Sequence, residues 1–299
     1  MKRVALLVAF LLPLMAYSQV VAIAVDTLQG DSEFKGEIDL VILLSTSKEN
    51  SQRDLQRLME AEDCRRFKRI AIAVDSSIAE IPEILFTWTW VSKLWIYGDL
   101  EYFAAGFENH QIPMPNHEKI PRKFRRFINL EELQISLLPI RKIGIVGRLK
   151  KINVLKLNSI LLRRLPLSVG TLKELSTLSV SNSPFQKLPN WIGNLSNLSE
   201  INFSNTGVKS LPKQLFSCEL LRTIDFSFTN VSLVPDEIKS LSNLERIVAP
   251  GEIQYCSPSI CELPVLKIFI GGFTDSAVRP KCLDDTLQWE NADLVYVKR

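Results

Sequence analysis

Only two histidines occur in the chain, His110 and His117, both within "ENHQIPMPNHEK". With Glu108 or Glu118 they would supply imidazole nitrogen and carboxylate oxygen, an ordinary donor set for zinc. Two solvated loop histidines are the simpler reading, and we expect no metal. No Ser sits in a nucleophile elbow, no Gly-rich loop is spaced for phosphate, and no His-Glu-x-x-His helix occurs. Cys64 and Cys218 fall at apolar positions and read as small core residues. We therefore expect neither an enzyme nor a cofactor. Residues that recognise are better represented than residues that react. Trp90, Trp95 and Tyr97 cluster early, and Lys156, Arg222, Asp225, Phe228 and Arg246 follow. Aromatic rings and guanidinium groups carry most of the energy at binding hot spots. Whether these eight meet depends on the elements that carry them.

Those elements repeat. "LPNWIGNLSNLSEINFSNTGVKSLP" runs from Leu188 to Pro212 and begins and ends on the same dipeptide, 23 residues apart. Counted from Pro189, apolar residues stand at Ile192, Leu195, Leu198, Ile201, Phe203, Val208 and Leu211. The same offsets recur from Pro121, Pro166, Pro212 and Pro235, and one residue short from Gly144. In "LSEINF" the alternation of Ile201 and Phe203 with Glu200, Asn202 and Ser204 reads as one short strand. The three-residue interval of Ile192, Leu195 and Leu198 suits a helical or 3₁₀ segment. One such unit cannot bury its apolar face alone, so the units must stack and place their strands in a parallel sheet.

The spacing and the core "LSTLSV", "LSEINF", "LRTIDF" and "LERIVA" resemble the leucine-rich repeat family, in its 23-residue form with Leu-Pro at each junction. The resemblance implies an α/β solenoid of about nine repeats, a right-handed horseshoe or superhelix. Its parallel sheet would lie on the concave face, with short helical or 3₁₀ segments on the convex face and caps at both ends. The family carries an Asn three residues after the core. Here Ser183, Thr206 and Thr229 stand there, which leaves open how the buried turn satisfies its backbone groups.

"MKRVALLVAFLLPLMAYSQ" has a basic start, an apolar run and the small-x-small site Ala16-Tyr17-Ser18, the pattern of a secretory signal peptide. We expect cleavage after Ser18 and no stable membrane span afterwards. The cleavage region has no Cys for lipid attachment. Formal net charge is +3, and without Lys2 and Arg3 the chain has 34 basic and 33 acidic residues, which argues against nucleic acid as a partner. Export permits disulfides. Among the five cysteines, Cys256, Cys261 and Cys282 cluster near the C-terminus, and one bridge among them has three possible pairings.

The expected organisation is a signal peptide at 1–18, an N-terminal cap of strands plus a helix at 19–59, repeats at 60–280 and a C-terminal cap at 281–299. An insertion interrupts the repeats at about 99–119. The expected function is a secreted or periplasmic, monomeric binding module that takes a protein or peptide, or a glycan, on its concave face. A structural or adhesive component of a cell envelope is the alternative, with an enzyme or metal site in the insertion behind it. The signal ending "AYSQ" and the Leu-Pro style resemble those of bacterial, Bacteroidetes-like proteins.

Overall fold

The computed structural model describes residues 20–24, 39–44, 56, 64–74, 83–98, 118–283, 287–290 and 293–297. The signal peptide, most of the helix expected from Ser51, and residues 99–117 with both histidines lie outside the described residues. The chain divides into two compact units, Met1–Ile152 and Asn153–Arg299.

The first unit carries β1 (Val20–Ala24), β2 (Leu40–Leu44), β3 (Arg69–Val74), β4 (Lys93–Tyr97) and β5 (Glu132–Ser136). β1 pairs antiparallel with β2, and from β2 onward the pairing is parallel and in register: Ile42 with Ile72, Ile72 with Ile96, Ile96 with Ile135. The parallel run thus begins at Leu40, ahead of the expected start of the repeats. Beside the strands lie 3₁₀ turns at Glu83–Thr87, Arg122–Arg126 and Gly144–Arg148. Phe86, Phe124 and Phe127 close the core between them with ring centroids 5.4–5.9 Å apart.

The second unit carries β6 (Val154–Asn158), β7 (Thr177–Ser181), β8 (Glu200–Asn202), β9 (Thr223–Asp225), β10 (Leu233–Val234), β11 (Arg246–Val248), β12 (Ile253–Cys256), β13 (Ile268–Ile270), β14 (Phe273–Val278), β15 (Leu287–Glu290) and β16 (Asp293–Val297). β6, β7, β8, β9, β11 and β13 pair in parallel in that order. The β15–β16 hairpin then lays β16 antiparallel on β13, so the last parallel strand is paired on both sides. A second small sheet, β10–β12–β14, has no counterpart in the sequence reading.

The backbone accounts for the three-residue spacing. Ile192 N–H donates to the Pro189 carbonyl at 3.0 Å, Leu195 to Ile192 at 3.1 Å and Leu198 to Leu195 at 3.1 Å. Each bond spans i to i+3, which eclipses side chains three apart on one face. Leu215 repeats the first bond to Pro212, and Ile238 to Pro235. Proline at the entrance loses no bond, because its N–H would have no partner there. Ile192, Leu195, Leu198, Ile201 and Phe203 are all at most 1% exposed, and successive coils align Ile201 with Ile224 and Ile247. Phe203 and Phe226 stack at 6.1 Å. Close contact between coils also needs Gly193, where a Cβ would sit 2.6 Å from the Gln214 carbonyl oxygen.

The hydroxyl residues that replace the turn Asn satisfy the same backbone. Thr206 and Thr229 each donate from Oγ1 at 2.6 Å to the carbonyls of Phe203 and Phe226. Ser183 Oγ donates to the Ser181 carbonyl at 2.8 Å and accepts from Ile160 N–H at 3.3 Å. Just before each hydroxyl the chain turns through a left-handed residue: Asn182 and Asn205 at φ 50°, Phe228 at φ 54°. Ser159, φ 53°, begins this series in the second unit.

Candidate partner-binding surface

Strand pleating puts alternate residues of each unit on the outward face of its sheet. In the first unit these include Lys93, Trp95 and Tyr97 of β4 and Glu132, Gln134 and Ser136 of β5, paired in register. Trp95 Nε1 donates to Glu132 Oε1 at 2.8 Å, Lys93 Nζ sits 3.1 Å from Glu132 Oε2, and Gln134 Nε2 donates to the Tyr97 hydroxyl at 3.4 Å. Glu132 and Ser136, placed on the outward face by the alternation, are buried. Trp95 and Tyr97 are half-buried and tied to their neighbours on β5.

Trp90 is elsewhere. It stands in the turn before β4, stacks on the fully buried Trp88 at 5.8 Å, and donates from Nε1 to the Phe67 carbonyl at 3.1 Å. Its place, one residue before the buried apolar residue that leads into the strand (Val91), is taken elsewhere by Asn129, Asn197 and Asn243. Their carboxamides donate to the carbonyls of Thr89, Lys173 and Glu219 at 2.9–3.0 Å. Each braces one coil to the one before. The signal for this brace was the recurring Asn-Leu in "INLEEL", "SNLSEI" and "SNLERI". Trp90 is a brace of the same kind.

In the second unit the outward rows run Val154, Thr177, Glu200, Thr223, Arg246, Ile268 and Lys156, Ser179, Asn202, Asp225, Val248, Ile270. Lys156 opens the second row, exposed, on small polar neighbours. Asp225 is occupied: Oδ1 accepts from the Ser227 backbone and hydroxyl at 3.0 and 2.7 Å, and Oδ2 accepts from Asn202 Nδ2 at 3.1 Å. Arg246 is half-buried between Thr223 and Ile268 and makes no side-chain hydrogen bond or ion pair among the described residues. Val248, Ile268 and Ile270 lie half-exposed around it.

At the entrance to these strands Arg222 and Lys267 flank Glu245, with Nη1 to Oε1 at 3.3 Å and Nζ to Oε2 at 2.9 Å. The hydrogen bond and charge of Lys267, then the charge of Arg222, hold the Glu245 carboxyl below its usual range. All three line an open recess of about 460 Å³ with Asn243, Pro264 and Val265. Phe228 lies at the opposite, exit end of the strands and is 79% exposed. The structure thus groups Arg222 with the recess and Arg246 with an apolar patch, and it separates Phe228 from both.

Cys261 and Cys282 are joined by a disulfide, leaving Cys256 as a free buried thiol like Cys218. Burial pushes the Cys218 thiol up to about 11 and that of Cys256 up to about 12, so neither is a ready nucleophile. Among the described residues no cluster of His, Cys, Asp or Glu is arranged to hold a metal, and no helix is long and apolar enough to cross a membrane.

No family model and no curated protein sequence matches the chain. Solved structures do. A leucine-rich repeat protein of Leptospira interrogans aligns with a TM-score of 0.54 at 19% identity, over 68% of this chain and 54% of its own. An internalin, InlF, of Listeria monocytogenes aligns with a TM-score of 0.52 at 12% identity, over 71% of this chain and 64% of its own. The chain therefore spans between half and two thirds of these neighbours. With its parallel sheet, 3₁₀ turns and i to i+3 ladder, the chain has the leucine-rich repeat fold.

Proposed function

We propose that the chain is a non-catalytic binding module that recognises a protein or peptide through the outward sheet face of its second unit. Arg246 carries this reading. A half-buried guanidinium with no partner among the described residues is costly to desolvate further unless a ligand satisfies it. Val248, Ile268 and Ile270 around it supply the apolar area that excludes water from such a contact. The signal-like N-terminus supports export, with the mature chain starting at Gln19 in the periplasm or outside the cell. The Leu-Pro repeat style and the "AYSQ" ending favour a bacterial, Bacteroidetes-like source, and the reading treats the module as a monomer.

The experiment is a quantitative pull-down from the source organism with the exported chain and its Arg246→Glu and Lys156→Glu variants. A partner retained by the wild type should be lost with Arg246→Glu and weakened with Lys156→Glu. Equal recovery of every protein by wild type and Arg246→Glu would remove the sheet face as the site. N-terminal sequencing of the exported form tests the cleavage point separately.

A further inference from the structure

The exit ends of β6 to β9 form a rim of a different chemistry from the sheet face. Residues 158–160, 181–184, 204–207 and 227–230 contain no Asp, Glu, Lys or Arg, and are mostly hydroxyl and carboxamide side chains. The next cations, Arg163, Arg164, Lys187 and Lys209, stand further along their coils, and the Asp225 carboxylate reaches Ser227 from the sheet face. The rungs are tied by backbone bonds: Ser159 N–H to Ser181 and Asn182 to Ser204, each 3.1 Å, and Asn205 to Ser227 at 2.9 Å. Over them runs a carboxamide ladder. Asn182 Nδ2 donates to Asn158 Oδ1 at 2.9 Å, and Asn205 Nδ2 donates to Asn182 Oδ1 at 2.8 Å. A carboxamide has two N–H donors and a carbonyl with two lone pairs. At Asn205 the ladder uses one N–H. The second N–H and the carbonyl oxygen have no partner among the described residues, and the side chain is exposed.

The next left-handed position after Asn182 and Asn205 is Phe228. Asn tolerates this backbone because its short polar side chain bonds locally, whereas a residue with a bulky side chain is strained there. Phe228 does not recover the cost by packing, since it is 79% exposed. An aromatic ring held in solvent at a strained backbone position, at the end of a ladder with open amide valences, is an arrangement for a ligand.

We propose that this rim is a subsite for a neutral oligosaccharide, with Phe228 as the stacking platform. A sugar ring has an apolar C–H face that covers an aromatic ring, and hydroxyls that donate and accept at once. The open N–H and C=O of Asn205 answer a vicinal hydroxyl pair with one bond of each sense. No residue of the rim itself is ionised, and the carboxylate that touches it, Asp225, is engaged by Ser227 and Asn202, which favours an uncharged ligand over an acidic one. The subsite is independent of the protein-binding reading, because Arg246 lies on the sheet face and takes no part in the rim.

The test titrates the full chain with cellohexaose, maltohexaose and N-acetylchitohexaose, and with an acidic hexagalacturonate as comparator. Calorimetry reads affinity, and saturation-transfer NMR reads contact. At least one neutral hexasaccharide should bind, with little change from low to high salt. Phe228→Asn should weaken it by about tenfold or more. This variant installs the residue the chain already uses at Asn182 and Asn205, so folding is preserved, and circular dichroism with thermal melting verifies it. Asn205→Ala should weaken binding less, and Arg246→Ala not at all. Failure of all three neutral sugars to bind, undiminished binding by Phe228→Asn, or binding confined to the acidic comparator would each overturn the proposal. Loss of the protein partner in Arg246→Glu with sugar binding intact would separate the two surfaces.

Discussion

Replacing Thr206 by Val tests how the turns are held. The two side chains have nearly the same shape, so packing around residue 206 changes little. What disappears is the hydroxyl that donates at 2.6 Å to the Phe203 carbonyl. Thr206 is 8% exposed, and no other donor reaches that carbonyl among the bonds described. A buried acceptor left without a partner costs about 1–3 kcal/mol, against about 1 kcal/mol for the mean net value of a hydrogen bond. Burial here places the expectation near the middle, at about 2 kcal/mol. Urea unfolding followed by circular dichroism measures it, with Thr206→Ser as the control that keeps the donor. The equivalent change at Thr229 should cost less, because that residue is only half-buried and water can replace the bond. The double variant should be additive to within about 0.5 kcal/mol, since the two hydroxyls share no partner. A loss below about 0.5 kcal/mol at Thr206, or the same loss at both sites, would refute the claim that these hydroxyls stand in for a turn Asn.

Two further expectations concern the ends of the described chain. Cys261→Ser opens a loop closed across 21 residues of sequence separation, and on the chain-entropy account should cost about 3 kcal/mol, read as a lower urea midpoint that reducing agent reproduces in the wild type. Burial pushes the Asp39 carboxyl up, but hydrogen bonds from the Arg69 side chain and from the Lys68 and Arg69 backbone outweigh it and hold the group below its usual range. The stability this adds is fully present above the unfolded carboxylate value, near pH 4, and is lost as pH falls through the lower folded value. Asp39→Asn should therefore reduce stability at neutral pH and flatten the acid limb of a urea-midpoint series, whereas an unchanged limb would show that Asp39 is not linked to folding.

How much of this was readable from the sequence varies with the kind of force. The rungs were legible because apolar burial is periodic: Ile192, Leu195, Leu198, Ile201 and Phe203 are all at most 1% exposed. The Ser and Thr turns were located but their bonds were not, since a hydroxyl's partner depends on a carbonyl three residues back in the coil. The Asn braces escaped notice because Asn before Leu in a turn reads as surface, and only the neighbouring coil reveals the acceptor. Among the candidate residues, type alone could not tell Trp90, bonded to the Phe67 carbonyl, from Phe228, which faces solvent. Nor could it tell Asp225, whose carboxylate is engaged by Ser227 and Asn202, from Arg246, which has no such partner among the described residues. The alternation also placed Glu132 and Ser136 outside, where the crowded row beside Trp95 and Tyr97 buries them.

The left-handed residues have a consequence for how such a protein diversifies. Asn182, Asn205 and Phe228 share a left-handed backbone in successive coils, and none of the three is buried, unlike Ser159 ahead of them. The coil turns at that point whichever of these side chains is present, so the three positions behave like interchangeable type set in one line. A new specificity could be written there by exchanging letters, with the interior that keeps the line straight left as it is.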